Sequence, residues 1–164
     1  MYRWVILDLY GTLMNTIDDL ADAGNWVCQQ HGWPVHTIKE YRYMVGNGIP
    51  KLVERFTPAE HRDPETLKQV LAEFSARYDA HKEDKTAAYP GMVDLIRRLD
   101  EAGIVTAVLS NKADALAGPV VERYYPGLFT IVQGALPDLP VKPDPALLHR
   151  LMKRLGAEAQ NTLF

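Results

Sequence analysis

The stretch Trp4-Val5-Ile6-Leu7-Asp8-Leu9-Tyr10-Gly11-Thr12 decides the fold. Its first four residues are aromatic or aliphatic with no polar alternation, the pattern of a strand buried on both faces of a parallel sheet. Turn chemistry takes over at Asp8 and runs through Gly11-Thr12. No helix is expected to start within two residues of Asp8, so helix capping does not explain a carboxylate there. In open α/β sheets, ligands bind just beyond the carboxyl ends of the strands, which is where Asp8 falls.

Working outward, the hydrophobic period changes at Thr16. Ile17, Leu20, Ala21, Val27, Cys28 and His31 share one helical face until Gly32 and Pro34 end it. Shorter helices are expected at Thr37 to Met44 and Pro50 to Phe56, and a longer one opens at Asp63-Pro64 and runs through Leu67, Val70, Leu71, Phe74 and Tyr78. Residues 16–82 therefore read as entirely helical. Beyond the polar run Lys82 to Thr86 the grammar alternates. A helix carries Met92, Leu95, Ile96 and Leu99, a buried strand covers Ile104 to Leu109 and breaks at Ser110-Asn111-Lys112, and a further helix carries Leu116, Val120, Val121 and Tyr124. A strand at Phe129 to Val132, a helix opened by Asp144-Pro145 and closed by Gly156, and the start of a strand at Asn161 to Phe164 follow. Strands alternating with helices imply a parallel sheet covered on both faces, with residues 16–82 inserted after its first strand.

Composition narrows the function classes. The chain has 164 residues, 47% of them hydrophobic and 24% charged, the balance of a globular domain with a real core. No apolar run approaches the roughly 20 residues of a bilayer-spanning helix, and Asp8 comes too soon after the N-terminus for a signal peptide, so a cytoplasmic protein without membrane partners is expected. The formal charge of -3 comes without a cluster of Lys and Arg, which disfavours nucleic acid as a partner. The single cysteine, Cys28, lies in a helical pattern and reads as a small buried hydrophobe.

The residues just after each buried run make a short list: Asp8, Tyr10, Gly11 and Thr12; Ser110, Asn111 and Lys112; and Lys142 before the last helix. Ser110-Asn111 alone would be an ordinary turn, and Lys142 alone a solvated side chain. Together, a carboxylate, hydroxyl and amide donors and a lysine suit an anionic substrate such as a phosphate.

These residues carry a resemblance to the haloacid dehalogenase-like hydrolase superfamily. Leu7-Asp8-Leu9-Tyr10-Gly11-Thr12-Leu13 resembles its first motif, Asp-x-Asp-Gly-Thr-Leu; Leu109-Ser110-Asn111-Lys112 resembles its second, and Val141-Lys142-Pro143 its third. Within the superfamily, Val45-Gly46-Asn47-Gly48-Ile49-Pro50 followed by Leu52-Val53-Glu54-Arg55, and Tyr89-Pro90-Gly91, are similar to the cap segments of phosphoglycolate phosphatases. The resemblance implies an α/β, Rossmann-like core of residues 1–15 and 83–164 with an inserted α-helical cap of residues 16–82. It implies a phosphatase of small phosphorylated metabolites in which Asp8 is the nucleophile and forms an aspartyl-phosphate that water hydrolyses. Mg2+ would be held by Asp8 and the Tyr10 carbonyl. Ser110, Asn111, Gly11, Thr12 and, from the cap, Asn47 would bind substrate or orient the loop, and Lys142 would offset charge on Asp8 and phosphate.

Two departures qualify that expectation. The family's phosphatases carry a second aspartate two residues after the nucleophile; here Tyr10 stands there, and a phenol with an ordinary pKa of about 10 is a very poor base at neutral pH. The 2-haloacid dehalogenases of the superfamily do carry Asp-x-Tyr-Gly-Thr-Leu, which makes carbon–halogen hydrolysis the alternative, with Arg42 as the candidate carboxylate-binding arginine. A non-catalytic module binding phosphate or an acid through Ser110, Asn111 and Lys142 is a further alternative. The family's fourth motif, a pair of acidic residues holding magnesium, is expected after the strand that begins at Asn161, and the sequence stops at Phe164. An incomplete core, a sheet edge open to homo-oligomer formation, and weak turnover that Tyr10→Asp alone does not restore are the expectations.

Overall fold

A computed structural model describes all residues, Met1–Phe164. Strand β1 (Trp4–Leu7) is interior to the sheet. It pairs in parallel with β4 (Val105–Ala113) on one side and with β6 (Thr162–Leu163) on the other. Strand β5 (Ile131–Ala135) adds in parallel to the far side of β4, giving the order β5-β4-β1-β6. Leu7 lies opposite Val108, and Val108 opposite Val132, so the residues after β1 and β4 emerge at the same end of the sheet.

The period-2 alternation of β4 divides its side chains between two cores. Val108 packs with Leu9, Leu13, Met14, Ile96, Val121 and Tyr125, under helices α5 (Met92–Glu101) and α6 (Asp114–Tyr124). Ala107 and Leu109 face the other way, against Ile6, Leu147 and Leu151 and the helix α7 (Ala146–Leu155). Both faces are thereby covered, which is why the paired lengths of β1 and β4 are apolar apart from buried Thr106, whose hydroxyl donates to the Leu128 carbonyl. The Tyr125 hydroxyl finds a partner inside this core by donating to the Leu13 carbonyl at 2.6 Å.

The chain divides into two compact units, Met1–Asn15 with Ala88–Phe164, and Thr16–Ala87. The second contains α1 (Ile17–Gln30), α2 (Ile38–Met44), α3 (Ile49–Phe56) and α4 (Pro64–His81). Thr37 and Glu40 form a reciprocal capping box at the start of α2, and Asp63 caps α4 ahead of Pro64. The helices enclose Val27, Cys28, Tyr41, Leu52, Phe56, Val70 and Phe74. Short strands β2 (Met14–Asn15) and β3 (Ala87–Ala88) pair in a separate two-stranded sheet. Buried Asp19 accepts from the backbone N–H groups of Lys85 and Thr86 at 2.9 and 2.8 Å, fastening the end of the segment to α1.

Three local expectations change. Strand β4 does not break at Ser110 but continues to Ala113. Its register shifts after Leu109 and resumes with Ala113 opposite Ala135, while Ser110 Oγ accepts from the Lys112 N–H at 3.1 Å; an irregular segment thus carries turn-forming residues without leaving the sheet. Strand β5 starts at Ile131, opposite Ala107, rather than at Phe129, whose ring packs edge-on against Tyr125 at 5.5 Å. Helix α7 begins at Ala146, and Asp144 turns its Oδ1 back to accept from the Ala146 N–H at 2.9 Å. No helix is long and apolar enough to cross a membrane.

Candidate active site

The site is built just past the end of β1, along the irregular second half of β4, and where the segment before α7 comes back to them. Asp8 directly follows β1, and its Oδ1 accepts from the Leu9 N–H at 2.7 Å. The chain then closes a tight loop: Leu9 O accepts from the N–H groups of Leu13 and Met14, and Gly11 donates to Met14 O at 2.9 Å. Gly11 has φ +81°, a left-handed conformation that a side chain would strain, so this turn requires glycine. Exposed Thr12 lines an open groove together with Asp8.

Lys142 reaches this loop from 134 positions along the sequence, its Nζ standing 2.7 Å from Asp8 Oδ1. The same ammonium donates to the Leu109 carbonyl at 2.9 Å, so it is fixed between the residue that follows β1 and the point where the β4 register shifts. The pair is partly open, with the Lys142 side chain 18% and the Asp8 side chain 42% exposed. An exposed ion pair contributes little to stability, but a lysine beside a solvent-accessible carboxylate stands ready to meet a second anion. Asn111 fixes Lys142 from the other direction. Its Oδ1 accepts from the Lys142 N–H at 2.8 Å, and its Nδ2 donates to the Lys142 carbonyl at 3.0 Å. Ser110, in β4 just past its register shift, is 2% exposed, with its hydroxyl turned to the Lys112 N–H.

Asp8, Tyr10, Gly11, Thr12, Ser110, Asn111 and Lys142 all belong to the α/β unit. Asn47 belongs to the helical unit, where its Oδ1 accepts from Arg55 at 2.7 Å while the same guanidinium donates to the Met44 carbonyl. Arg55 therefore shapes the Gly46-Asn47-Gly48 loop. Arg42, in the last turn of α2, is exposed.

Sequence reasoning passed over three features of the site. The Lys112 ammonium lies over the Tyr10 ring, 5.3 Å from its centre, which places a second lysine beside the loop that follows β1. The Phe164 ring lies 5.9 Å from Lys142 Nζ. Gly134, inside β5, lies against the segment just past Ser110; a lone glycine in a strand pattern is the signal of close backbone approach that could have found it.

As a test of fit for magnesium, no three His, Cys, Asp or Glu side chains are placed to hold a metal ion together. Magnesium commonly keeps several waters and takes only one or two protein carboxylates with substrate phosphate oxygens, and Asp8 with the Tyr10 carbonyl meets the lower bound of that requirement.

Comparison with known proteins places this geometry in context. A family model described as haloacid dehalogenase-like hydrolase matches residues 2–164. The chain is 34% identical over 170 residues to a phosphoglycolate phosphatase of Pseudomonas savastanoi pv. phaseolicola, covering 99% of this chain and 61% of that protein. It is 35% identical over 169 residues to a phosphoglycolate phosphatase of Pseudomonas putida, with the same coverage. It thus spans about 61% of the length of these curated relatives. Among solved structures, a predicted phosphoglycolate phosphatase from Haemophilus somnus superposes with a TM-score of 0.81 at 25% identity, covering 99% of this chain and 76% of that one.

Proposed function

The chain belongs to the haloacid dehalogenase-like hydrolases, and from that premise we propose that the protein is a phosphatase of small organic phosphate esters of the phosphoglycolate type, working through an aspartyl-phosphate on Asp8. The observation that carries this reading is the 2.7 Å contact between Lys142 Nζ and Asp8 Oδ1 at the open end of the parallel sheet. A carboxylate oxygen of Asp8 attacks phosphorus as the ester P–O bond breaks, and water then attacks the aspartyl-phosphate to release inorganic phosphate. Two easier steps replace one hard one. Lys142 binds a phosphoryl oxygen while holding Asp8 in place, and Ser110 with the neighbouring N–H groups supplies neutral donors.

Magnesium, held by Asp8 and the Tyr10 carbonyl, would supply the positive charge that lets a phosphate dianion approach a carboxylate. Tyr10 can give a proton to the leaving alkoxide, but it does not serve as the base for the hydrolytic step at neutral pH, so the aspartyl-phosphate is long-lived. The test is 2-phosphoglycolate with magnesium, followed by both phosphate release and covalent labelling of the protein. Slow release with phosphate retained on Asp8 is expected, and neither label nor release would overturn the reading. The relatives that the chain matches favour phosphoglycolate among small esters.

Tyr10 itself favours a second reading. With no aspartate two residues after the nucleophile, hydrolysis at the halogen-bearing carbon of a 2-haloacid needs neither a leaving-group proton nor a metal, and Asp8 would form a carbon ester instead. Halide release from 2-chloropropionate without magnesium, and no phosphate release with it, would select that reading.

A further inference from the structure

Behind the end of β4 stands a polar cluster with no direct contact to Asp8. The Asp114 Oδ1, at the start of α6, accepts from the Gly134 N–H at 2.7 Å and from Gln133 Nε2 at 3.0 Å. Gln133 is 1% exposed; it also donates to the Gly134 carbonyl at 3.0 Å, and its Oε1 accepts from Arg154 of α7 at 2.6 Å. A buried amide with partners on both its oxygen and its nitrogen has one orientation, which makes the cluster stiff. Gly134 has no room for a side chain, since a Cβ there would lie 2.5 Å from both the Lys112 carbonyl oxygen and Asp114 Cα. The backbone of β5 therefore presses directly on the residues that follow Ser110 and Asn111.

We propose that Asp114, Gln133 and Gly134 are positioning residues that fix the Ser110–Lys112 segment and, through Asn111, Lys142, in the geometry that receives a phosphoryl group. The route is continuous. Asp114 fastens the end of β4 to β5, the fastened segment carries Asn111, and Asn111 brackets the backbone of Lys142 with two hydrogen bonds whose Nζ partner is Asp8. Displacing a catalytic group by about 1 Å can cost on the order of 10²-fold in rate, so stiffness behind the site has a functional consequence. The part of this inference that concerns phosphate rests on the phosphatase reading; the part that concerns the Lys142 backbone does not.

The test compares Asp114→Asn, which keeps Oδ1 as an acceptor, with Asp114→Ala, which removes it. Gln133→Leu serves as a second variant should Asp114→Ala fail to fold. Two quantities are measured: hydrogen exchange at the Lys142 amide, and the affinity for orthovanadate by calorimetry. Asp114→Ala, or Gln133→Leu in its place, is expected to raise Lys142 exchange about tenfold and weaken orthovanadate binding on the order of tenfold, while Asp114→Asn stays near the parent protein on both. Unchanged exchange at Lys142 would overturn the proposal whatever the melting temperature does. Raised exchange with unchanged orthovanadate affinity would overturn the assigned role and leave the cluster merely structural. If the parent protein binds no orthovanadate while exchange rises as expected, the positioning of Lys142 stands and the phosphatase reading fails.

Discussion

The two units solve different problems with the same chain. The helical unit is held by an apolar interior in which aromatic rings follow one another, Tyr41 to Phe56 to Phe74 to Tyr78, with centroids 6.3, 5.8 and 5.7 Å apart. The α/β unit has comparable apolar layers on its two sheet faces, yet at one end of the sheet it gathers Asp8, Lys142, Asn111, Ser110 and Lys112 around short polar contacts. Packed rings give stability that does not depend on one contact; a half-open ion pair gives almost none and leaves its charges available. Stability and chemistry are therefore separable, and substitutions in the two units should fail in different ways.

The sharpest separation is expected from Asp8→Asn. Loss of the nucleophile should lower turnover by on the order of 10⁴-fold or more and abolish covalent phosphorylation, while the denaturation midpoint stays within experimental scatter of the parent. A large drop in that midpoint would break the contrast, by showing the ion pair to be structural. Phe74→Ala should do the reverse. It removes a fully buried ring between two others, and a loss of about 3–5 kcal/mol in unfolding free energy is expected from urea titration. Lys142→Met comes next, with turnover lowered roughly 10²- to 10³-fold and only a small change in stability. Lys142→Arg should rescue little, because a planar guanidinium cannot replace a compact ammonium between Asp8 and the Leu109 carbonyl.

The smallest expected effect is on alkaline stability, and it touches both units. Burial pushes the Cys28 thiol up to about 11, partly offset by a hydrogen bond to backbone, and burial pushes the Tyr125 phenol up to about 12. Each raised group contributes stability that is fully present below its ordinary pKa, near 9 for Cys28 and 10 for Tyr125, and that is lost as pH rises through the folded value. The unfolding midpoint should therefore fall between pH 9 and about 12, and Cys28→Ala should flatten the lower part of that fall. Rapid alkylation of Cys28 in the folded protein at pH 8 would show that the thiol is not buried as described.

Much of this arrangement is legible from residue types. Trp4 to Leu7 and Ile104 to Leu109 can be strands buried on both faces because their side chains are apolar apart from Thr106, whose hydroxyl donates to the Leu128 carbonyl at 3.2 Å, and Asp8 falls at a strand end because turn residues follow it at once. Asp63-Pro64 and the Thr37–Glu40 pair mark helix starts through hydrogen bonds made within a few residues. Local chemistry of this kind survives translation into three dimensions because its partners are close in the chain. The sequence by itself thus determined the end of the first strand, the helical composition of the segment after it, and the identity of the charged groups near the site, but not where β4 ends or β5 begins. Only the tertiary structure decided that Lys142 meets Asp8, that Asn111 holds the Lys142 backbone from both sides, that Lys112 lies over Tyr10, and that Gly134 presses on the segment past Ser110. Those partners are separated by 31 to 134 positions in every case but one, and the exception, Gly134 with the Lys112 carbonyl, is set by the pairing of β4 with β5. Which distant residues meet is fixed by strand order and register, and neither is written in any local pattern.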